Sequence, residues 1–237
     1  MKTERAVGRM MAIEDEASLN TWIHRMHPLI KLLVTVAFLG VLLSFPMNDP
    51  VGVLLMSLYP FMVFAISAVS FTACLRRIAV TIPVFVLFGI TLGWIGLLTL
   101  VAKGVLAVMS VYLLIATTGI EGICYALRCL HVPKLLVTEI LLVYRYFSVM
   151  AGEAGSLATA YALRAPGQKG ISLRYVGPFL GQMLLRSVDR AEEVYESMTL
   201  RGFQGEFPLH RKTDPIPGGI VYGILCVGAF VAVRIFL

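Results

Sequence analysis

Two arginines of this chain are placed where their side chains could bind another protein. Arg164 lies in the run Ala162-Leu163-Arg164-Ala165 and Arg201 in the run Thr199-Leu200-Arg201-Gly202, each at the end of a helical pattern. Either run alone has an ordinary explanation, because a cation suits the negative end of a helix dipole and glycine supplies a left-handed cap. Two such guanidinium groups on consecutive helices also suit bidentate contacts with carboxylates, so we expect a docked partner.

Charged residues upstream of both arginines follow the helical repeat. Glu153 precedes Arg164 by eleven residues, and Arg190 precedes Arg201 by the same interval, which corresponds to about three helical turns. Each pair therefore shares a face if its helix is continuous. The pairing of Arg190 with Glu193, three residues on, is interpreted as stabilisation of a solvated face.

No set of residues typical of an enzyme or a metal site occurs in the sequence. It has no Walker, Gly-x-Ser-x-Gly or His-Glu-x-x-His pattern, and its four cysteines form no Cys-x-x-Cys. His24 and His27 would supply only two ligands. Glu121 lies in an apolar stretch, and we expect it to pair with Arg128 at a membrane boundary. We predict a non-enzymatic chain with no catalytic residue and no metal or cofactor of its own.

The composition indicates a membrane protein. Soluble domains are about half apolar and about a quarter charged, whereas this sequence is 58% hydrophobic and 14% charged, with a mean hydropathy of +0.85. Its apolar residues are concentrated in stretches of about twenty, the length that spans a bilayer core. We predict an all-α integral membrane protein with five or six transmembrane helices.

Five stretches are the predicted spans. Four of them form a bundle over 29–127, preceded by a cytoplasmic segment, 1–28, and the fifth belongs to a C-terminal region, 216–237. We expect a turn at Lys103-Gly104 between the third and fourth spans. The predicted spans are about 29–45, 51–71, 78–102, 104–127 and 216–236.

The basic residues predict the orientation. With the N-terminus inside, 18 of the 20 Lys and Arg residues lie in or beside the segments 1–28, 72–77 and 128–215, and only Lys103 and Arg234 lie outside. Because cytoplasmic segments carry an excess of basic residues, we predict a multi-pass protein with a cytoplasmic N-terminus.

The segment 128–215 differs from the predicted spans because it mixes apolar and charged stretches. We predict two long cytoplasmic amphipathic helices there, separated by turn residues at Ala165-Pro166-Gly167. A sixth span near 134–150 is an open alternative, because the run LLVTEILLV is strongly apolar.

Two glycines in this segment have a spacing typical of close helix contacts. Gly177 and Gly181 are four residues apart, which lets helices approach closely in an apolar setting. One interpretation is that they pack beneath the chain's own spans. The other is that they form a sliding contact with a second membrane subunit, while the arginine ends face other partners.

The order of these motifs resembles that of the transmembrane T components of energy-coupling-factor ABC transporters. Pro28-Leu29-Ile30-Lys31 resembles the Pro-x-x-Lys start of that family's first span. Its coupling region is similar to the series that runs from Pro133-Lys134 through Tyr144-Arg145-Tyr146 and Glu153 to Ala162-Leu163-Arg164, and Arg201-Gly202-Phe203 resembles its second signature. The ordered series covers most of the chain and is most similar to the cobalt-type CbiQ branch.

The resemblance implies a coupling subunit of an importer for cobalt or nickel ions in a bacterial or archaeal cell membrane. Two cytoplasmic ATPase subunits would bind ATP and Mg²⁺, and a separate CbiM-like membrane subunit would bind the substrate. The residues that the resemblance assigns to ATPase coupling are Ala162, Arg164, Arg201 and Gly202, supported by Arg145, Glu153 and, from its spacing, Arg190.

Two other function classes fit the sequence less well. A membrane-embedded enzyme acting on a lipid or isoprenoid would need paired acids or histidines at the membrane surface, and only Glu192-Glu193 offers a pair. A self-sufficient carrier would need inverted repeats and ionisable residues at mid-membrane, which the spans almost lack. Co-purification of an ATPase pair and a small membrane partner would distinguish the coupling subunit from both.

Overall fold

The computed structural model describes residues 23, 26–46, 50–67, 70–90, 93–164, 173–207 and 216–236. The described part of the chain is helical and contains no strand, which confirms the prediction of an all-α protein. Its helices, numbered here in chain order, are α1 (Pro28–Ser44), α2 (Pro50–Ser67), α3 (Phe71–Gly89), α4 (Gly93–Cys129), α5 (Lys134–Arg164), α6 (Leu173–Leu200) and α7 (Ile216–Phe236).

The helices divide into two compact units. The first, Ile13–Leu130 with His210–Leu237, contains α1 to α4 and α7, and we call it the helix bundle. The second contains α5 and α6, and we call it the helix pair. Within the helix bundle α4 is central, because it packs against α1, α2 and α3, while α7 packs against α1 and α2.

An aromatic cluster fills the junction of α1, α2 and α7. The ring centroids of Phe38, Tyr59 and Phe230 lie 5.0 to 5.4 Å apart, in the tilted and edge-on geometries that aromatic pairs favour. Gly219 and Gly223 of α7 lie so close to α1 that a Cβ on either would crowd an isoleucine of that helix. The glycines therefore let α7 approach α1 closely enough to complete the cluster.

Helix α4 is broken at Gly119, and α1 holds the break. The φ of 67° and ψ of 168° at Gly119 lie in a region that essentially only glycine adopts. A helical carbonyl normally accepts from the amide four residues on, so the break releases carbonyl groups. Lys31, which is buried in α1, donates a hydrogen bond of 3.0 Å from Nζ to the carbonyl oxygen of Thr117. The lysine of the Pro-x-x-Lys sequence thus connects α1 to the break in α4.

The boundary between the third and fourth helices differs from the predicted one. Because α3 ends at Gly89 and α4 begins at Gly93, the predicted third span, 78–102, and the predicted turn at Lys103-Gly104 were wrong. The segment 72–77, predicted as a loop, belongs to α3. Gly93, the first residue of α4, has a positive φ of 76°, which glycine adopts without steric cost.

Lys103 and Gly104 lie inside α4 for packing reasons that the sequence did not reveal. A Cβ at Gly104 would overlap the ring of Phe85, so this glycine lets α3 lie directly against α4. Lys103 is buried, and its Nζ donates to the carbonyl oxygen of Phe45 just beyond the C-terminal end of α1. A cation there also suits the negative end of the α1 dipole.

Arg234 of α7 lies at the same end of α1 as Lys103. Its Nε donates to the Ser44 hydroxyl at 3.3 Å, and its guanidinium carbon lies 5.2 Å from the ring centroid of Phe45. The two basic residues that were predicted to lie outside therefore meet at one end of the helix bundle.

The described helices have the length and composition of membrane spans. Five of them can cross a bilayer by these criteria, namely α2, α3, α4, α5 and α7, while α1 is apolar but shorter. Large apolar side chains such as Leu54 and Trp94 are 72% and 89% exposed, as expected for helices that face lipid. The chain is an integral membrane protein. Because α5 is one of these helices, the alternative of a sixth span within 134–150 stays open.

The contact between Lys31 and Thr117 gives a test of the bundle. Lys31→Met keeps the apolar stem but leaves a buried carbonyl without its charged donor, so we expect a loss of about 1.5–3 kcal/mol in the free energy of unfolding. Thermal unfolding in detergent, followed with a thiol-reactive dye that reports exposure of the buried Cys74 and Cys124, would measure it.

The matched control is Lys134→Met, because Lys134 is 64% exposed and pairs with Glu206 at the surface. Exposed ion pairs contribute about 0–1 kcal/mol, so this variant should unfold close to the wild type. Equal unfolding temperatures for Lys31→Met and the wild type would contradict the role assigned to Lys31.

Candidate functional site

The two long helices of the helix pair run antiparallel to each other. The rings of Tyr161 and Tyr175 lie 5.7 Å apart, and Arg186 Nη1 lies 3.9 Å from Glu153 Oε2. Further along, Lys134 Nζ lies 2.9 Å from Glu206 Oε2, beyond the end of α6. These contacts pair the end of α5 with the start of α6, and the start of α5 with the chain that follows α6.

Antiparallel packing separates the two arginines. Arg164 is the last residue of α5, at the end of the pair where α6 begins, and Arg201 follows the last residue of α6, at the other end. Helix α6 has 28 residues, which corresponds to a length of about 42 Å. The two arginines are therefore two separate contact points rather than one cluster.

Both arginines are exposed beside an exposed leucine. Leu163 is 78% exposed and Leu200 is 89% exposed, and Ala162, Arg164 and Arg201 are exposed as well. A large exposed apolar side chain beside a planar cation suits a protein contact, because burial of the leucine adds apolar area to the directional bonds of the arginine. Sequence reasoning missed both leucines, although the repeated Leu-Arg pair was a signal for them.

The end of α6 confirms the predicted glycine cap. Gly202 has a φ of 79°, its amide donates to the Thr199 carbonyl at 2.9 Å, and the Phe203 amide donates to the Met198 carbonyl at 3.0 Å. These two bonds form a Schellman motif. Gly202 thereby ends the helix immediately after Arg201 and fixes the backbone conformation next to that residue.

The supporting residues lie along the same two helices. Helix α5 is continuous over Lys134–Arg164, so Glu153 and Arg164 share a face, and Arg145 is exposed earlier on the same helix. Arg190 Nη1 lies 3.1 Å from Glu193 Oε2 on its own helix, as predicted from the i,i+3 spacing. Glu153 instead contacts Arg186 across the pair, a contact that the sequence did not predict.

The two glycines with helix-contact spacing are exposed. A Cβ on Gly177 or on Gly181 would meet no atom within 4 Å, so neither is needed for packing within the described chain. Pro178 lies between them inside α6. Both glycines lie near the start of α6, the end of the pair that carries Arg164. The residues predicted as a turn, Ala165-Pro166-Gly167, lie outside the described part.

Comparisons with known proteins identify relatives of this region. A family model described as CbiQ, cobalt transport protein, matches residues 80–213, which contain every residue of the candidate site. The chain is 29% identical over 113 residues to the cobalt transport protein CbiQ of Rhodobacter capsulatus, a match that covers 47% of this chain and 46% of the relative.

Two further relatives have related descriptions. The chain is 29% identical over 153 residues to the putative fused cobalt transport protein CbiMQ of Methanocorpusculum labreanum, covering 59% of this chain and 25% of that protein. It is 28% identical over 91 residues to the nickel permease LarQ of Lactiplantibacillus plantarum, covering 38% and 33%. The chain thus spans between a quarter and a half of the length of these relatives.

The cap at Gly202 generates a test of the site's local structure. Gly202→Ala forces a residue with a Cβ into a left-handed conformation, which costs about 1–2 kcal/mol, so the last turn of α6 should fray. Hydrogen exchange of the amides of Gly202 and Phe203 should accelerate about five- to thirtyfold, the factor that corresponds to that cost.

Gly152→Ala is the control, because Gly152 lies inside α5 and a Cβ there would meet no atom within 4 Å. Alanine is a better helix former than glycine, so this variant should retain or slow exchange in α5. Unchanged exchange at the end of α6 in Gly202→Ala would show that the motif does not hold the Arg201 backbone.

Proposed function

The chain belongs to the CbiQ family of cobalt transport proteins, because the family model covers more than half of it, and we propose that it is the coupling subunit of an ATP-driven importer for cobalt or nickel. The observation that carries this proposal is the pair of exposed Leu-Arg sites at opposite ends of two antiparallel helices. Two separated and chemically similar contact points suit two copies, or two homologues, of one kind of partner. Cytoplasmic ATPase subunits, which act in pairs, would fit that requirement.

The proposed partners divide the work of transport. Two ATPase subunits would bind ATP and Mg²⁺ and receive Arg164 and Arg201, while a CbiM-like membrane subunit would bind the metal. The description of the fused relative CbiMQ supports the second partner, because it joins the two names in one protein. The descriptions of the relatives support cobalt or nickel as the substrate.

The mechanism that we propose is mechanical. Helices α5 and α6 have 31 and 28 residues, and they are connected by the Glu153–Arg186 and Lys134–Glu206 contacts. In this proposal, a shift of an ATPase subunit at either end is transmitted along these long helices, as in rigid-body transitions of other proteins. The moving pair would transmit closure of the ATPases to the substrate-binding subunit. The chain would itself catalyse no reaction.

The distribution of basic residues supports the membrane orientation that we propose for the chain. The basic residues favour a cytoplasmic N-terminus and a cytoplasmic helix pair, which is the side on which ATPases have access to ATP. The enzyme alternative is weaker, because Glu193 of the Glu192-Glu193 pair is held by Arg190, which would oppose its use as a catalytic acid or base.

Replacement of the two arginines tests the ATPase contact. Arg164→Ala and Arg201→Ala should each weaken capture of the ATPase subunits about thirtyfold, the effect of about 2 kcal/mol that is typical of a central interface arginine. Because both side chains are exposed, the unfolding temperature should stay unchanged. Co-purification and ATP-driven cobalt uptake by vesicles that contain the assembled complex would measure the effect.

Arg145→Ala tests the weaker assignment of Arg145 in the same assays, and Arg234→Ala is the control, since Arg234 is bonded to Ser44 within the helix bundle. Wild-type uptake by the double variant with both Arg164 and Arg201 replaced would refute the coupling assignment.

The glycines test the contact with the membrane subunit. A Cβ at Gly177 or at Gly181 would meet no atom within 4 Å, so we expect Gly177→Leu and Gly181→Leu to fold normally. They should reduce capture of the CbiM-like subunit by about fivefold or more, since overpacking of a close contact costs about 1–3 kcal/mol, and should leave ATPase capture intact. Gly152→Leu in α5 is the control. Release of the ATPases with retention of the membrane subunit would reverse the two assignments.

A further inference from the structure

Two adjacent arginines, Arg76 and Arg77, lie inside the apolar helix α3. This helix is among those long and apolar enough to cross a membrane, and the arginines lie in its second turn. Ionisable side chains are costly in such a helix and mark sites of function by default. In the loop that the sequence predicted at 72–77, these residues would have been ordinary cytoplasmic charges. Because they lie in α3 instead, we expect a group of opposite charge beside them.

The guanidinium of Arg77 stacks on an aromatic ring. A ring face is not an oxygen acceptor for the N–H donors of the guanidinium. The guanidinium carbon of Arg77 lies 4.0 Å from the ring centroid of Tyr112 in α4, a cation–π contact with a side chain that is only 4% exposed. The Nη1 atom of Arg77 is enclosed and makes no hydrogen bond. The ring therefore fixes the orientation of the guanidinium, while the buried Nη1 lacks a hydrogen-bond acceptor.

Arg76 lies beside it and is exposed. Among the described residues, the ion pairs join other side chains, and neither Arg76 nor Arg77 contacts a carboxylate. Two adjacent cations at the membrane boundary, one of them oriented by a ring, favour a ligand with an anionic oxygen group. Arginine is well suited to phosphate, because its planar fork can bind two oxygens at once.

An apolar stripe extends from Arg76 along the same face of α3. Val80, Val84 and Leu87 follow Arg76 by four, eight and eleven residues, and they are 72%, 51% and 69% exposed, so they share one face with it. The stripe from Arg76 to Leu87 is about 17 Å long, close to the half-thickness of a bilayer core, about 15 Å. A cation at one end of an exposed apolar stripe of this length matches the shape of a phospholipid.

We propose that Arg76 and Arg77 bind the phosphate of an anionic phospholipid whose acyl chains lie along the exposed stripe of α3. Basic sites between membrane helices on the cytoplasmic side are suited to such head groups. The proposal is independent of the ATPase and metal assignments, since it rests on α3 and α4 alone. A carboxylate of a partner subunit is the competing ligand, but it would leave the length of the stripe without an explanation.

The test uses the full chain in phosphatidylcholine nanodiscs with and without phosphatidylglycerol. Native mass spectrometry would count the phosphatidylglycerol molecules that stay bound after release from the nanodisc. Arg76→Gln and Arg77→Gln should each weaken retention about fivefold, the contribution expected for one basic residue near an anionic surface, and the double variant about 25-fold if the two effects add. Arg234→Gln, at the other end of the bundle, should retain phosphatidylglycerol as the wild type does.

The remaining outcomes separate the possible ligands. Arg77→Lys keeps the charge but loses the planar fork, so it should retain phosphatidylglycerol better than Arg77→Gln does and less well than the wild type does. Displacement of phosphatidylglycerol by inorganic phosphate at equal concentration would show that the site binds the free anion and would overturn the proposal. Unchanged phosphatidylglycerol retention in the double variant would also overturn it.

Discussion

A broken helix leaves buried backbone carbonyls without their usual amide donors, and this constraint shapes the helix bundle. Each such group costs several kcal/mol unless the protein supplies a partner. At Gly119 the partner is Lys31, whose Nζ binds the Thr117 carbonyl. At the other end of α1, Lys103 binds the Phe45 carbonyl. Helices α1 and α4 are therefore joined at both ends by buried lysines, and the other helices pack around this central pair.

The helix pair differs from the helix bundle, because the residues of its proposed contacts are exposed rather than buried. Gly202 stops α6 directly after Arg201, and Leu163 and Leu200 are exposed beside their arginines. The contacts between α5 and α6 include one ion pair, Glu153–Arg186, and one pair of tyrosine rings, Tyr161 and Tyr175. A leucine and an arginine are exposed at each end of this long pair. This arrangement suits contact with partners rather than a core of its own.

Sequence patterns predicted helices well where the apolar stretches were separated by strong turn residues. The bounds of α1 and α7 agree with the predicted spans to within one residue, and α5 and α6 agree with the two predicted long helices. The third and fourth spans were placed wrongly because Lys103-Gly104 has the composition of a turn, whereas Gly104 makes room for Phe85 and Lys103 finds an acceptor 58 residues away. Such tertiary partners leave no local pattern in the sequence.

The local features of the chain were predictable from sequence, whereas the contacts between distant residues were not. The cap at Arg201-Gly202 is local, so its residue types were sufficient to predict it. The contact of Lys31 with Thr117 spans 86 residues, and the sequence indicated only that a Pro-x-x-Lys motif was present, not what the lysine binds. The position of Arg76 and Arg77 inside α3 likewise depended on where the helix began, which composition alone did not specify.

Photo-crosslinking from the two ends of the helix pair tests the proposed coupling role most directly. A photoreactive amino acid in place of Leu163 or of Leu200 keeps both arginines, and the same substitution at the exposed Ile235 of α7 provides a control position. In the assembled complex, we expect both leucine positions to crosslink to ATPase subunits, with yields that change when ATP is added, and Ile235 to form no such crosslink. Crosslinks from Leu163 and Leu200 to lipid or to the substrate-binding subunit alone would contradict the coupling role.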